Sequence, residues 1–113
     1  GKSLFDQGKY REAYKVFEGL AKSPDTTEAV EARYMMGESL FALKEFDQAI
    51  LDYQTIITNY PSSAKAPTAM FRQALAFESL NDKDTAKILY KKLIASYKDS
   101  PEAAQAQQKL GSM

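Results

Sequence analysis

The sequence predicts an all-α solenoid of about three helix–turn–helix units, closed by one C-terminal helix. Three observations predict it. Small and apolar residues recur at an offset of 36 to 37 positions: Ala13, Ala49 and Ala86; Phe17, Tyr53 and Tyr90; Leu20, Ile56 and Leu93; Leu4, Leu40 and Phe77. Self-similarity at such a period marks a repeat architecture. Within each copy the spacing is helical. Ala49, Tyr53, Ile56 and Ile57 stand at i, i+4, i+7 and i+8, and Ala86, Tyr90, Leu93 and Ile94 repeat the stripe. Finally, the joints between copies share their punctuation. Tyr60 and Tyr97, Ser63 and Ser100, Ala66 and Ala103, and Ala69 and Ala106 are each 37 apart.

The elements follow in order. Helices are expected near residues 1–7, 10–22, 26–43, 46–59, 64–80, 84–97 and 101–110 of a single domain, 1–113. The units are about 1–24, 26–61 and 64–98. Within a unit, Met36, Leu40 and Leu43 mark the first helix, and a short polar turn (Leu43–Asp47 or Leu80–Asp84) leads to the second. Ala13, Ala49 and Ala86 have a physical reason: a methyl lets two helix backbones approach, and the aromatic one turn later closes the gap. Leu at position 49 would overpack this joint, at roughly 1–3 kcal/mol. Between units, Pro61 cannot continue a helix and biases Tyr60 away from helical angles. Ser62 or Ser63 is the expected N-cap of the next helix, with Pro67 in its first turn. Ser100 caps the last helix and Pro101 opens it; Ser23–Ala29 does the same job earlier. The Gln-rich 101–110 helix reads as a cap turning a polar side to water.

Composition narrows the function. Lys plus Arg equals Asp plus Glu, 15 against 15, so no electrostatic grip on nucleic acid or an anionic membrane is expected. No apolar run approaches the ~20 residues of a membrane span, so no membrane insertion is expected. The chain starts at Gly1 without a visible signal peptide and reads as a fragment or mature piece. There is no Cys and no His. Zinc sites built on thiolate or imidazole, and Ser-His-Asp or Cys-His catalysis, are excluded. No cofactor or metal is expected. The Gly1–Ser3 stretch lacks the upstream Gly and strand of a phosphate-binding loop. Asp82 and Asp84 read as a solvated turn with a capping Asp. The chain reads as non-catalytic, the enzymatic rival being a hydrolase with paired carboxylates.

At this point the pattern resembles the tetratricopeptide repeat. Gly37, Leu40, Ala49, Tyr53 and Pro61 carry that motif in full. Gly1, Gly37, Ala74 and Gly111 occupy its small position, although the usual period of 34 is exceeded. Unit 3 departs with Ala74 for Gly and Lys98 for Pro. A narrower resemblance also appears. The joint Tyr60, Pro61, Ser63, Lys65, Ala66, Pro67 and Ala69, with the closing Lys109-Leu110, is similar to the C-terminal domain of the periplasmic Tol–Pal-associated cell division coordinators. That resemblance implies a periplasmic, protein-binding module. Its partner would be a Tol–Pal component or the cell-wall synthesis machinery, with a role in outer-membrane constriction. It also implies oligomerisation through an N-terminal coiled coil outside these residues. Self-association through open solenoid ends is a further expectation. The alternative is the repeat scaffold of an outer-membrane protein assembly lipoprotein.

Stacked pairs place their first helices along a concave groove. The repeat register puts Tyr34, Glu38 and Phe41 of unit 2 there, with Phe71, Leu75 and Glu78 of unit 3 and Phe5 of unit 1. Aromatic side chains in a groove are the material of binding hot spots; packing within the solenoid is the other use for them. Some cytosolic repeat domains of this kind grip a C-terminal carboxylate with Lys, Arg and Asn. The matching places here hold Tyr34, Glu38, Phe71 and Leu75, which suit an extended segment or a helix with apolar anchors. Met35, Met36 and Met70 read as core filling, with an adaptable binding surface the alternative.

Overall fold

A computed structural model describes residues 2–113 as seven helices: α1 Lys2–Asp6, α2 Tyr10–Leu20, α3 Thr26–Ala42, α4 Phe46–Asn59, α5 Lys65–Ser79, α6 Lys83–Ser96 and α7 Pro101–Gly111. The fold is the all-α solenoid that the repeat predicts. Helix ends fall within about two residues of expectation. α2 stops at Leu20 because the Ala21 and Lys22 amides turn back onto the Phe17 and Gly19 carbonyls.

Each unit turns on one left-handed residue. Gly8, Lys44 and Asn81 have φ of 79°, 63° and 68°. The next amide then reaches back to the helix: Lys9 N–H to Leu4 O at 2.9 Å, Glu45 N–H to Leu40 O at 2.9 Å and Asp82 N–H to Phe77 O at 2.8 Å. This Schellman closure satisfies carbonyls that the helix end would orphan. Gly8 adopts it freely, and Lys44 bears roughly 1 kcal/mol of strain.

The joints are capped by side chains. Asp25 accepts from the Glu28 amide at 3.2 Å, and Ser100 accepts from Ala103 at 3.1 Å. Asp82 accepts from both the amide and the hydroxyl of Thr85. At α5 the cap position falls on Ala64 rather than on a serine. Ser63 sits one residue further out. Its Oγ accepts from the Lys65 amide at 3.1 Å while its carbonyl takes the Ala66 amide. Ala64 is already in the helical region, so the turn starts early and the serine serves from outside it.

Each helix packs on its neighbours in the chain. In addition, α3 touches α5 and α5 touches α7, while α2, α4 and α6 make no comparable contact with one another. The stack therefore curves with α3, α5 and α7 on the inside, and the repeat register puts α1 on the same side. Three apolar clusters fill it in turn: Ala13, Phe17, Ala32 and Met36; then Val30, Leu40, Ala49, Tyr53, Ile56 and Ala69; then Met70, Ala74, Ala86, Tyr90, Leu93 and Ala106. The Gln side chains of α7 at 105, 107 and 108 are exposed, and Ala103 and Ala106 face the core.

Gly37 is required by close approach. A Cβ there would stand 2.6 Å from Cε1 of the buried Tyr53 ring. Unit 3 accepts Ala74 at the same register position, so its pair leaves room for one methyl. Helix propensity alone favours Ala over Gly by about 1 kcal/mol. We predict that Gly37→Ala nevertheless destabilises the domain by roughly 1–3 kcal/mol, because the ring has nowhere to go. Urea denaturation measures it; a stabilised variant would show that the α3–α4 pair can spread.

One ion pair interrupts the apolar packing between α3 and α4. Arg33 Nη1 donates to Asp52 Oδ1 at 3.0 Å, while Asp52 is 7% exposed and its Oδ2 finds no partner. Burial raises the Asp52 pKa and Arg33 opposes the rise. The same register in unit 3 holds Met70 and Leu89, both packed in the third cluster. Arg33→Met alone strands the carboxylate and should cost roughly 2 kcal/mol, discounted because the Arg33 side chain is 31% exposed. A folded carboxyl with a raised pKa holds its proton more tightly than the unfolded chain. Stability therefore falls as pH rises from about 4. The Arg33→Met defect should be small in acid and full at neutral pH. Adding Asp52→Leu should restore or exceed wild-type stability at neutral pH. Thermal unfolding of the wild type and the two variants across pH tests this, and a double variant weaker than Arg33→Met refutes it.

Candidate functional site

The inner face is built by α1, α3 and α5, and all seven groove positions fall on them, each half-buried. Phe5 on α1 packs edge-on against Tyr10, with centroids 5.0 Å apart. On α3, Tyr34 lies against Tyr53 at 6.0 Å and Phe41 against Phe46 at 5.1 Å. Phe71 on α5 lies against Tyr90 at 5.7 Å. Each of these rings thus has one side packed within the stack. Leu75 lies between Phe71 and Glu78 along α5 and, at half burial, shares the face they form.

Glu38 and Glu78 form the groove floor, and packing sets their roles. Tyr53 and Tyr90 are fully buried aromatics of α4 and α6, and each hydroxyl needs an acceptor. Tyr53 donates to Glu38 Oε1 at 2.5 Å, and Tyr90 donates to Glu78 Oε2. Each carboxylate then holds a cation from a later element. Arg72 Nε donates to Glu38 at 2.8 Å, and Lys109 Nζ lies 3.2 Å from Glu78. Lys65 pairs with Glu31 at 3.4 Å. Two of these cations also cover aromatic rings. The Arg72 guanidinium sits 4.2 Å from the Phe41 centroid, and the Lys65 ammonium 4.5 Å from that of Tyr34. Such contacts contribute about 0.5–1 kcal/mol each at exposed sites.

These residues tie successive units together. Glu31 to Lys65 joins α3 to α5. Thr68 Oγ1 to Glu102, at 2.7 Å, joins α5 to α7 at the equivalent register. Lys65 has Glu102 at its register, whereas Arg72 and Lys109 stand 37 apart and share a column whose unit-2 member is Met35, so the two cations that pair with Glu38 and Glu78 are register equivalents. Among the described residues no group of three or more acidic side chains suits a metal, and no helix is long and apolar enough to cross a membrane.

Comparison with known proteins agrees with this geometry. A tetratricopeptide repeat family model matches residues 1–64, and a second matches residues 68–100. The chain belongs to the tetratricopeptide repeat family. Its repeats make it a protein–protein interaction module. No curated protein matches the chain.

Burial holds the tyrosines of this face in their neutral form. Burial, reinforced by Glu38, raises the pKa of Tyr34 and of Tyr53; burial and Glu78 raise that of Tyr90. Burial works against the Arg72 charge, but Glu38 and Tyr53 outweigh it and hold the guanidinium protonated. The folded state therefore keeps three phenolic protons that an unfolded chain gives up near pH 10, so stability falls as pH rises past that point. We predict that Tyr34, Tyr53 and Tyr90 ionise only as the helices melt. Ultraviolet difference titration run beside circular dichroism checks this; reversible ionisation of every tyrosine before helix loss would contradict it.

Proposed function

We propose that this domain is a non-catalytic binding module of the Gram-negative envelope that holds a protein segment along its inner groove, in the periplasm and in association with the Tol–Pal system. The observation that carries the groove is the apolar row Tyr34, Phe41, Phe71 and Leu75, half-exposed on adjoining helices above a floor whose ionic groups are already paired. Paired charges leave no free cation cluster for a terminal carboxylate. Apolar anchoring is the recognition mode such a surface favours. Support for the envelope assignment is the sequence resemblance of the Tyr60–Ala69 joint and the closing Lys109-Leu110 to the cell division coordinators. In the fold, Lys109 bonds Glu78, and Leu110 packs on the third cluster.

The test is calorimetric titration with the soluble periplasmic part of the Tol protein that spans the envelope. Leu75→Glu and Arg72→Ala run alongside, after circular dichroism shows both folded. Binding that weakens by about ten-fold or more in each variant, or about 1.4 kcal/mol, supports the proposal. Full-strength binding in both variants would remove the groove from the reading, and absence of binding would remove Tol–Pal.

A further inference from the structure

The joints of the solenoid differ in one respect that the repeat does not explain. Between the start of α3 and the α4–α5 joint lies a cleft of about 680 Å³. The clefts at the neighbouring joints, α6–α7 and α2–α3, measure about 360 and 340 Å³. One contact accompanies the difference. Tyr97 donates its hydroxyl to the Pro61 carbonyl at 2.8 Å, tying the last joint to the one before. Tyr60, its counterpart 37 residues earlier, makes no corresponding bond to the Ser23–Asp25 turn among the described residues. The gap is bridged in one interval of the solenoid and open in the other.

The open cleft is apolar within and polar at its mouth. Val30 is buried, Tyr60 and Pro61 supply apolar surface, and Thr27 and Ser62 are exposed at the edge. Its volume lies inside the roughly 300–1,000 Å³ typical of ligand sites. It also adjoins the groove. Glu31 and Lys65 line it, and the same Lys65 ammonium covers the Tyr34 ring. Glu31 and Lys65 are paired with each other, so an occupant of the cleft meets no unpaired charge on that shared wall.

We infer that this cleft is a second anchor site, resting on the groove reading above: it takes a Leu- or Phe-like side chain of the same partner segment as the segment leaves the groove past Tyr34. The Tyr60–Lys65 stretch thus acts in binding as well as in breaking the helix, and it sets where along the partner the apolar anchors must fall.

Amide-detected NMR titration of the domain with N-acetyl-phenylalaninamide tests this, with N-acetyl-lysinamide as control. The expected result is saturable shifts at Thr27, Val30 and Ser63 with the aromatic probe only. Ser62→Trp, which fills the cleft from an exposed position, should weaken them about ten-fold. Thr27→Trp fills it from the opposite side and should do the same, while Leu75→Glu should leave them unchanged. Shifts confined to Phe71 and Leu75 would overturn the cleft and leave the groove standing. Equal response to the lysine probe would overturn its apolar character. No shift at the cleft residues would overturn the site itself, whatever the Tol titration shows.

Discussion

The structure depends on one packing constraint: an aromatic ring buried where two helices of a unit approach each other. Phe17, Tyr53 and Tyr90 fill this position, faced by alanine one turn earlier at 13, 49 and 86. Gly37 has no Cβ because Tyr53 occupies the space. When the ring is tyrosine, the constraint reaches the surface. A buried hydroxyl without a partner costs about 1–3 kcal/mol. Glu38 and Glu78 supply the acceptor, and each then holds a cation from a later element. In unit 1 the aromatic is Phe17, which has no hydroxyl to satisfy. The matching register on α1 holds Phe5 where unit 3 has Glu78, and no carboxylate is needed. The charge pattern of the groove floor thus follows from core packing.

Two solutions serve the same need. Glu38 follows Gly37 directly, whereas Glu78 lies four residues after Ala74, one helical turn further on. Both reach the hydroxyl of the following helix. The register therefore pairs Glu38 with Leu75 and Phe41 with Glu78. The apolar row of the groove steps from one column to the next between units and crosses it obliquely. A segment lying on Tyr34, Phe41, Phe71 and Leu75 must cross the helices at that slant.

Much of the fold was legible because its determinants are local. Helical stripes and proline joints act over a few residues, and the 37-residue offset makes each appear twice or more. The turn residues were not legible. Gly8, Lys44 and Asn81 share a left-handed backbone; glycine and, more weakly, asparagine favour that conformation, but Lys44 gives no such signal. The Arg33–Asp52 pair was hidden as well. Its register partners are Met70 and Leu89, so alignment suggests plain apolar filling. Likewise Gln73 takes the register of Met36, yet it is buried and donates to Ile50 O and Gln54 Oε1. The groove positions could be placed by register, whereas Lys65 has Glu102 in its column, and Arg72 and Lys109, although 37 apart, show their common role only once Glu38 and Glu78 are placed. Arg72 and Lys65 act through contacts between units, which a repeat read one copy at a time does not show.

Those contacts bear on how the groove meets a partner. Successive units are joined on the inner face by Glu31 to Lys65, Glu38 to Arg72 and Thr68 to Glu102, in addition to the apolar core between them. Changing the curvature of the solenoid would stretch all three together. Individually such exposed pairs contribute little. Here, however, Glu38 also holds a buried hydroxyl, so releasing Arg72 would disturb the core as well as the surface. On the groove reading proposed above, a partner meets an inner face already shaped, and less of the association free energy is lost to ordering it. The same stiffness fixes the distance from the aromatic row to the cleft beside Tyr60, so the spacing of anchors along a bound segment is set by the solenoid rather than by the segment.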